Sequence, residues 1–246
     1  MGSNVKVDAL TLELRPRSMF EATDLGVRMV QANARSLWGC FLPVHAVVVL
    51  LALSTVEISH WLPCLLIFWL KPWLDRSLLF VLSRAVFGQR TGWVDLWRER
   101  KAVWCHRLLA TLTLARLSPW RAYVQPIAQL EGQHGSALRN RRKAILNGQR
   151  GRAAAVQFVF ANMELVFMAG LFAAVAWFAL PGDQTTAVPW LGGGSTAAAL
   201  LVTLMDAAVV LFVEPYYVGA GFAMYLNRRV QLEAWDVEQE FRRAFG

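Results

Sequence analysis

The sequence predicts an all-α integral membrane protein: a helical bundle of about four transmembrane helices plus interfacial amphipathic helices, with both termini cytoplasmic. The first observation behind this prediction is composition, because 56% of the 246 residues are hydrophobic and only 17% are charged. A soluble domain usually carries about a quarter charged residues. The second observation is a set of long apolar runs, and the third is the uneven placement of basic residues around them.

The N-terminal segment, residues 1–36, is predicted to be a cytoplasmic arm that leads into an interfacial helix. Residues 1–17 are polar and lack the apolar core of a signal peptide. Residues 19–36 place apolar side chains among scattered charges. This pattern is typical of an amphipathic helix that lies on a membrane surface.

Residues 37–86 are predicted to hold the first two spans. Residues 37–56 carry no formal charge, and about 20 residues at ~1.5 Å each cross the ~30 Å hydrocarbon layer. Residues 61–86 are also apolar at their ends, yet Pro72 and three charged residues lie in the middle. The favoured interpretation is one kinked helix across the membrane. A short dip into the membrane followed by a helix along the bundle stays open.

Residues 87–152 are predicted to be a basic cytoplasmic region with amphipathic helices. Tryptophan and leucine recur at roughly helical spacing from Trp93 to Leu112 among basic residues, as in a helix that lies on a membrane. Two prolines interrupt the pattern in residues 118–132, and a basic tract then leads into the next apolar run.

Residues 153–226 are predicted to form a transmembrane hairpin. Its spans are residues 153–180 and 196–226, and a turn-rich loop connects them. Residues 227–246 are predicted to form a polar cytoplasmic helix.

The basic residues set the predicted orientation. Five precede the first span, fourteen lie between Arg84 and Arg152, none lies in residues 181–195, and four follow Tyr225. The positive-inside bias therefore places both termini and the middle region in the cytoplasm. It also accounts for the net charge of +8, so we expect no nucleic acid as a partner.

Six ionisable residues inside the predicted spans form the main candidate site, an intramembrane charged network. Such groups are costly at membrane depth, so they face the bundle interior, pair, or line a polar path. We expect Lys71 or Arg76 to meet an acidic residue of the last two spans, and Lys71 can also pair with Asp75 one turn away. The network comprises Lys71, Asp75, Arg76, Glu164, Asp206 and Glu214.

Two interpretations of this network stay open. Ion pairs that fix the packing of the helices are favoured, because no internal repeat or second broken helix indicates a transporter fold. A proton or ion path is the alternative, since chains of carboxylates mark such paths.

Basic residues of the middle region are candidates for binding lipid headgroups or for controlling topology. Near an anionic membrane surface each such charge contributes about 1 kcal/mol. The residues are Arg139, Arg141, Arg142 and Lys143.

Nothing in the sequence indicates catalysis. The four histidines and three cysteines lack metal-ligand spacing, and no nucleophile–base signature or phosphate-binding loop is present. We therefore expect no enzyme, no metal and no cofactor.

Three stretches resemble a known group of proteins. They are LRPRSMFEATDLGVRMV, LKPWLDRSLLFVLSRAVFG and the C-terminal EPYYVGAGFAMYLNRRVQLEAWDVEQEFRR. The group consists of uncharacterised multi-pass bacterial inner-membrane proteins. Some of these are similar to the membrane domain associated with glycerophosphoryl diester phosphodiesterases, and others are encoded beside MoxR-type ATPases and transglutaminase-like membrane proteins. The resemblance implies an inner-membrane location and a MoxR-type ATPase system as a candidate partner. It does not imply phosphodiesterase activity, because the histidines and acidic metal ligands of that catalytic domain have no counterpart in this sequence.

The C-terminal stretch is the candidate docking surface for partners. A tryptophan among alternating charges just inside the membrane favours docking over a merely solvated helix end. The residues are Arg228, Arg229, Glu233, Trp235, Asp236 and Glu238.

The function expected from the sequence is a non-enzymatic membrane scaffold or accessory subunit of a membrane complex. Its expected partners are membrane lipids and other membrane or cytoplasmic proteins. A small transporter or channel that uses the intramembrane charged network is the alternative. A lipid-handling enzyme that uses groups such as His106 or Glu131 is a weaker third hypothesis.

Overall fold

The computed structural model describes residues 17–105, 118–178 and 195–233. Within these residues every regular element is a helix, which agrees with the predicted class. The elements are α1 (Met19–Ala32), α2 (Ala34–Leu53), α3 (Leu62–Ala85), α4 (Trp93–Arg98), a π-helical turn (Lys101–Cys105), α5 (Arg121–Gln129), α6 (Gly135–Leu146), α7 (Arg150–Phe178) and α8 (Thr196–Glu233).

Three helices, α2, α7 and α8, are long and apolar enough to cross a membrane. The mean hydropathy of their apolar stretches is 2.1, 1.9 and 2.3, respectively. Three of the four predicted spans are therefore helices of membrane-spanning length and composition. The fourth, α3, is one continuous helix that runs through Pro72, but its charged residues reduce its hydropathy.

The helix α3 lies inside the described bundle, in contact with α2, α5 and α8. Its three central charges point inward, because Lys71, Asp75 and Arg76 are each at most 5% exposed. Two glutamines of α5 donate hydrogen bonds to backbone carbonyls of α3. Gln125 reaches the carbonyl of Pro72 at 3.0 Å and Gln129 reaches that of Arg76 at 2.9 Å. Pro72 has no amide hydrogen to donate to the carbonyl of Phe68, four residues earlier. The two glutamine bonds go to other carbonyls near the proline and are therefore not the partner that the sequence predicts for that carbonyl.

The helix α8 joins the predicted last span to the predicted cytoplasmic helix without a break. Its 38 residues extend about 57 Å at ~1.5 Å each, well beyond the ~30 Å hydrocarbon layer. The predicted boundary at residue 227 falls inside this helix. Asn227 is buried there and is 7% exposed.

The helix α1 packs against α8. Gly26 and Gly219 let the two backbones meet, since a Cβ added to Gly26 would lie 2.3 Å from the carbonyl oxygen of Gly219. The side chain of Asn227 accepts from the amide of Arg17 and donates to its carbonyl, each at 2.9 Å. The sequence predicts that the apolar face of α1 lies on the membrane surface. In the structure, part of this face packs against α8, while Phe20 remains 58% exposed.

The tryptophan-rich helix predicted from Trp93 onward begins as two short pieces, α4 and the π-helical turn. Trp93, Trp97 and Trp104 from these pieces form a cluster with Trp73 of α3, and neighbouring rings have centroids 5.7–6.5 Å apart. The indole of Trp104 also donates to the hydroxyl of Ser77 at 2.8 Å. This cluster attaches the start of the basic region to α3.

Candidate functional site

Five charged side chains from four helices form an alternating series of acids and bases inside the bundle, which we term the ion-pair chain. Two of them come from α3, and α5, α7 and α8 each contribute one. In spatial order the members of the ion-pair chain are Glu164, Lys71, Glu214, Arg121 and Asp75.

Lys71 connects α3 to both helices of the predicted hairpin. Its Nζ lies 2.6 Å from Oε2 of Glu164 on α7 and 3.5 Å from Oε2 of Glu214 on α8. The structure therefore contains the predicted pairing of Lys71 with acidic residues of the last two spans. The Glu214 side chain is fully buried, whereas that of Glu164 is 29% exposed, so the chain opens toward the surface of α7.

Arg121 of α5 completes the ion-pair chain, although the sequence interpretation did not include it. Its Nη2 donates to Oε1 of Glu214, and its Nε lies 3.1 Å from Oδ2 of Asp75. The guanidinium also lies over the ring of Tyr217, 5.0 Å from the centroid. Burial by itself would lower the pKa of Arg121, but the Asp75 and Glu214 carboxylates raise it above its ordinary value, so the side chain stays charged.

A helical period in the sequence could have identified Arg121. Arg121, Gln125 and Gln129 recur every four residues and therefore share one face of α5. All three contact the ion-pair chain or the backbone of α3. Pro119 and Pro126 conceal this period, because two prolines within eight residues suggest a break. In the structure α5 begins after the first proline and includes the second.

The other two residues of the predicted network lie beside the ion-pair chain. Arg76 donates to the carbonyls of Val103 and Trp104 in the π-helical turn, at 3.1 and 3.4 Å. Asp206 is half-buried on α8 and lies within electrostatic range of Lys71 and of the other acids. No residue in the described part of the chain forms a hydrogen bond or an ion pair with Asp206.

Neutral polar groups border the ion-pair chain. The buried His45 of α2 makes a hydrogen bond through Nε2 with the carbonyl of Ala207, at 3.0 Å. The hydroxyl of Tyr217 donates to Gln157 and accepts from the amide of Ala122 at 3.1 Å. Charged and polar contacts therefore connect α2, α3, α5, α7 and α8 at this level of the bundle.

The four candidates for lipid headgroups fall into two pairs on α6. Arg141 makes a two-pronged ion pair with Glu131 at 2.8 and 3.1 Å, and Arg142 donates to a hydroxyl in the loop before α5 at 2.9 Å. Arg139 and Lys143 are exposed. The exposed pair is therefore the part of this candidate site that can meet an anionic surface.

Glu131 also contacts α8 at the described part of the candidate docking surface. The hydroxyl of Tyr225 donates to Oε1 of Glu131 at 2.6 Å, and Nε of Arg229 lies 3.9 Å from the same oxygen. Arg228 donates to the carbonyl of Asn147 at 3.0 Å. Glu233 is the last residue of α8, whereas Trp235, Asp236, Glu238 and the separate candidate His106 lie outside the described residues.

Comparison of the chain with protein-family models, with curated proteins and with solved structures finds no match. The similarity to bacterial inner-membrane proteins therefore stays a prediction from the sequence. Among the described residues, no group of three or more His, Cys, Asp or Glu side chains is placed to hold a metal ion.

Proposed function

We propose that the protein is a non-enzymatic scaffold or accessory subunit of a complex in the bacterial inner membrane. We further propose that it is a multi-pass protein with four crossings, with both termini and the basic middle region in the cytoplasm. The three apolar helices and the positive-inside bias support this arrangement.

The internal placement of α3 supports a fourth crossing. Its 24 residues extend about 36 Å, enough for the hydrocarbon layer. Its charges would be costly against lipid, but they face neighbouring helices that supply opposite charges. A short connection from α2, residues 54–61, would let α3 return the chain to the cytoplasmic side.

The observation that carries the scaffold proposal is the surface of α7. Leu165, Val166 and Trp177 are each at least 67% exposed, so this helix uses little of its surface inside the chain. Asn162 lies near its midpoint and is exposed, and among the described residues its amide donates only to the carbonyl of Phe158 one turn earlier. A polar amide at membrane depth favours contact with another helix over contact with lipid.

The cytoplasmic face supplies the second part of the proposal. The exposed Arg139 and Lys143 suit anionic lipid headgroups, and residues 234–246 suit a protein partner. A MoxR-type ATPase system is the candidate that the sequence resemblance suggests.

The experiment is crosslinking in intact cells, mild solubilisation and identification of the proteins that co-purify at stoichiometric amounts. Truncation after Glu233 removes residues 234–246, the proposed docking segment, so we expect it to remove a cytoplasmic partner. It leaves every described contact of α8 in place, so the loss would not reflect a change in the fold. Asn162→Ala is expected to remove a membrane partner. Leu50→Ala, an exposed apolar change on α2 and outside the proposed surface, is the control. A chain that purifies without a partner would contradict the proposal.

A transporter or channel is the second candidate function, and the ion-pair chain is the observation that favours it. Carboxylates and bases that alternate through a bundle can relay protons. Reconstituted vesicles test this function directly. Flux that is lost in Glu164→Gln and Glu214→Gln, in variants that still insert, would support a transporter. A scaffold would keep its partners in Glu164→Gln.

A further inference from the structure

Two carboxylates contact one lysine at the α7 end of the ion-pair chain, and a third carboxylate lies within electrostatic range. Glu164 and Glu214 contact Lys71 directly, and Asp206 lies within electrostatic range of Lys71. Glu214 also accepts from Arg121, so a second base compensates its charge. Within the described residues, Glu164 has an ion pair with Lys71 alone and Asp206 has none. Lys71 is the base in contact with Glu164 and also lies within electrostatic range of Asp206, while Arg121 acts on Glu164 from farther away.

The surroundings of Glu164 make a second negative charge unfavourable there. Its side chain is 29% exposed on a helix whose neighbouring Leu165 and Val166 are about two-thirds exposed. At membrane depth this surface meets hydrocarbon, where an uncompensated carboxylate is costly. Glu164 and Asp206 lie within electrostatic range of each other, so their negative charges repel, and a proton bound to either removes that repulsion.

We propose that this end of the ion-pair chain is a proton-binding site, in which one exchangeable proton resides on Glu164 or Asp206 while Lys71 pairs with the other carboxylate. The proton comes from water and forms one O–H bond with a carboxylate oxygen, and no other covalent bond changes. This inference goes beyond a scaffold, since it assigns a ligand to the charged interior.

Every helix packed around the site contributes a group that bears on the proton. Lys71 of α3 supplies the shared positive charge. Arg121 of α5 donates to Glu214, so that acid has a second base of its own. His45 of α2 is engaged through Nε2 with the carbonyl beside Asp206, and this bond to a carbonyl requires a proton on that nitrogen.

Infrared spectroscopy of the full-length protein in lipid nanodiscs tests the proposal. A protonated carboxyl group has a C=O stretching band separate from that of carboxylates, and the band shifts when the proton exchanges for deuterium. We expect such a band at neutral pH and its loss as the pH rises. Either Glu164→Gln or Asp206→Asn alone is expected to abolish the band at neutral pH, because the remaining carboxylate then pairs with Lys71. Glu57→Gln, in the exposed turn after α2, should leave the band unchanged.

Several results would overturn the proposal. A band that survives both substitutions belongs to another group, and a band lost in only one variant reflects a single buried acid instead of a shared proton. Absence of the band in the unaltered protein excludes a resident proton, and its removal by NaCl at constant pH indicates a sodium site. Glu164→Asp keeps the carboxylate and should keep the band, so its loss there would also contradict the proposal. Circular dichroism confirms that each variant retains its helices.

Discussion

Arg121 uses its shape as well as its charge. Its Nε faces Asp75 and its Nη2 faces Glu214, so one planar group contacts acids from two helices. A lysine ammonium is a single point charge on a flexible stem and does not reproduce this fork. The two cations of the ion-pair chain are therefore not equivalent.

Arg121→Lys is expected to lower the free energy of unfolding by about 2 kcal/mol, the value of a lost hydrogen bond to a charged group. Thermal unfolding in detergent micelles, followed by circular dichroism, measures the change. The matched control is Arg139→Lys, because Arg139 is exposed on α6 and should tolerate the substitution. Equal stability of Arg121→Lys and the unaltered protein would show that the fork is not required.

Glu164→Gln and Glu214→Gln make the same chemical change at sites of different burial. Glu214 is fully buried and contacts both Lys71 and Arg121, so its neutralisation is expected to cost about 3 kcal/mol by weakening two contacts with charged groups. Glu164 is partly exposed and Lys71 retains Glu214, so its neutralisation should cost on the order of 1 kcal/mol or less. Unfolding in the same micelles compares them. Similar losses of unfolding free energy in the two variants would mean that burial does not determine how much each carboxylate contributes to stability.

At the scale of helices, glycines on α8 set how closely its neighbours approach. Gly219 meets Gly26 of α1, and a Cβ on Gly221 would lie 2.4 Å from the Cβ of Ala122 on α5. Side chains at these positions would have to displace backbone. Close packing of α1 and α5 against α8 therefore requires glycine at positions 26, 219 and 221 as well as favourable side-chain contacts.

Gly26→Ala is expected to destabilise the contact between α1 and α8 by about 1–3 kcal/mol, because the added methyl group meets the backbone of Gly219. Gly170→Ala on α7 is the control, since nothing lies within 4 Å of its added Cβ. In that open position alanine should stabilise the helix by up to about 1 kcal/mol. Hydrogen exchange of the α1 amides measures the first effect, and unfolding measures the second. Unchanged exchange in Gly26→Ala would contradict the close packing.

The sequence predicts the long helices well and their ends and partners poorly. The apolar runs of α2, α7 and α8 are local signals that length and composition reveal. The sequence does not reveal that α8 continues to Glu233, because the polar residues after Asn227 look like a new element. Tertiary contacts with α1 and α6 keep these residues in the same helix. The short helix α5 is hidden for the reason given above: its prolines are visible and its four-residue polar period is weak.

The same limit applies to the candidate site. The cost of charge at membrane depth is enough to predict that Lys71 meets an acid of the last two spans. It does not predict that Arg121 joins them, because an arginine in a basic region is taken as an orientation signal. Nor does it predict that Arg141 and Arg229 converge on Glu131, since those contacts depend on how α6 folds back on α8.

For the whole molecule, the four-crossing topology predicts which sites an impermeant thiol reagent reaches in intact cells. Single cysteines are introduced after the three native cysteines, Cys40, Cys64 and Cys105, are replaced by serine. Glu57→Cys and Thr185→Cys are expected to be labelled from outside, and Ser136→Cys only after the cells are opened. The cysteine at 57 tests the crossing by α2. Labelling at 136 in intact cells would show that α3 does not return the chain to the cytoplasm.

One continuous helix, α8, carries Asp206 and Glu214 in the charged interior, Gly219 against α1, and Tyr225 above Glu131. Because α8 is continuous through Pro215, a change in its tilt or in its bend at that proline moves its cytoplasmic end relative to the proton site. Thermodynamic linkage makes any such coupling reciprocal. If protonation changes the affinity for a cytoplasmic partner by some factor, binding of that partner changes the proton affinity by the same factor. A protein that only holds others in place could in this way also report the acidity it experiences.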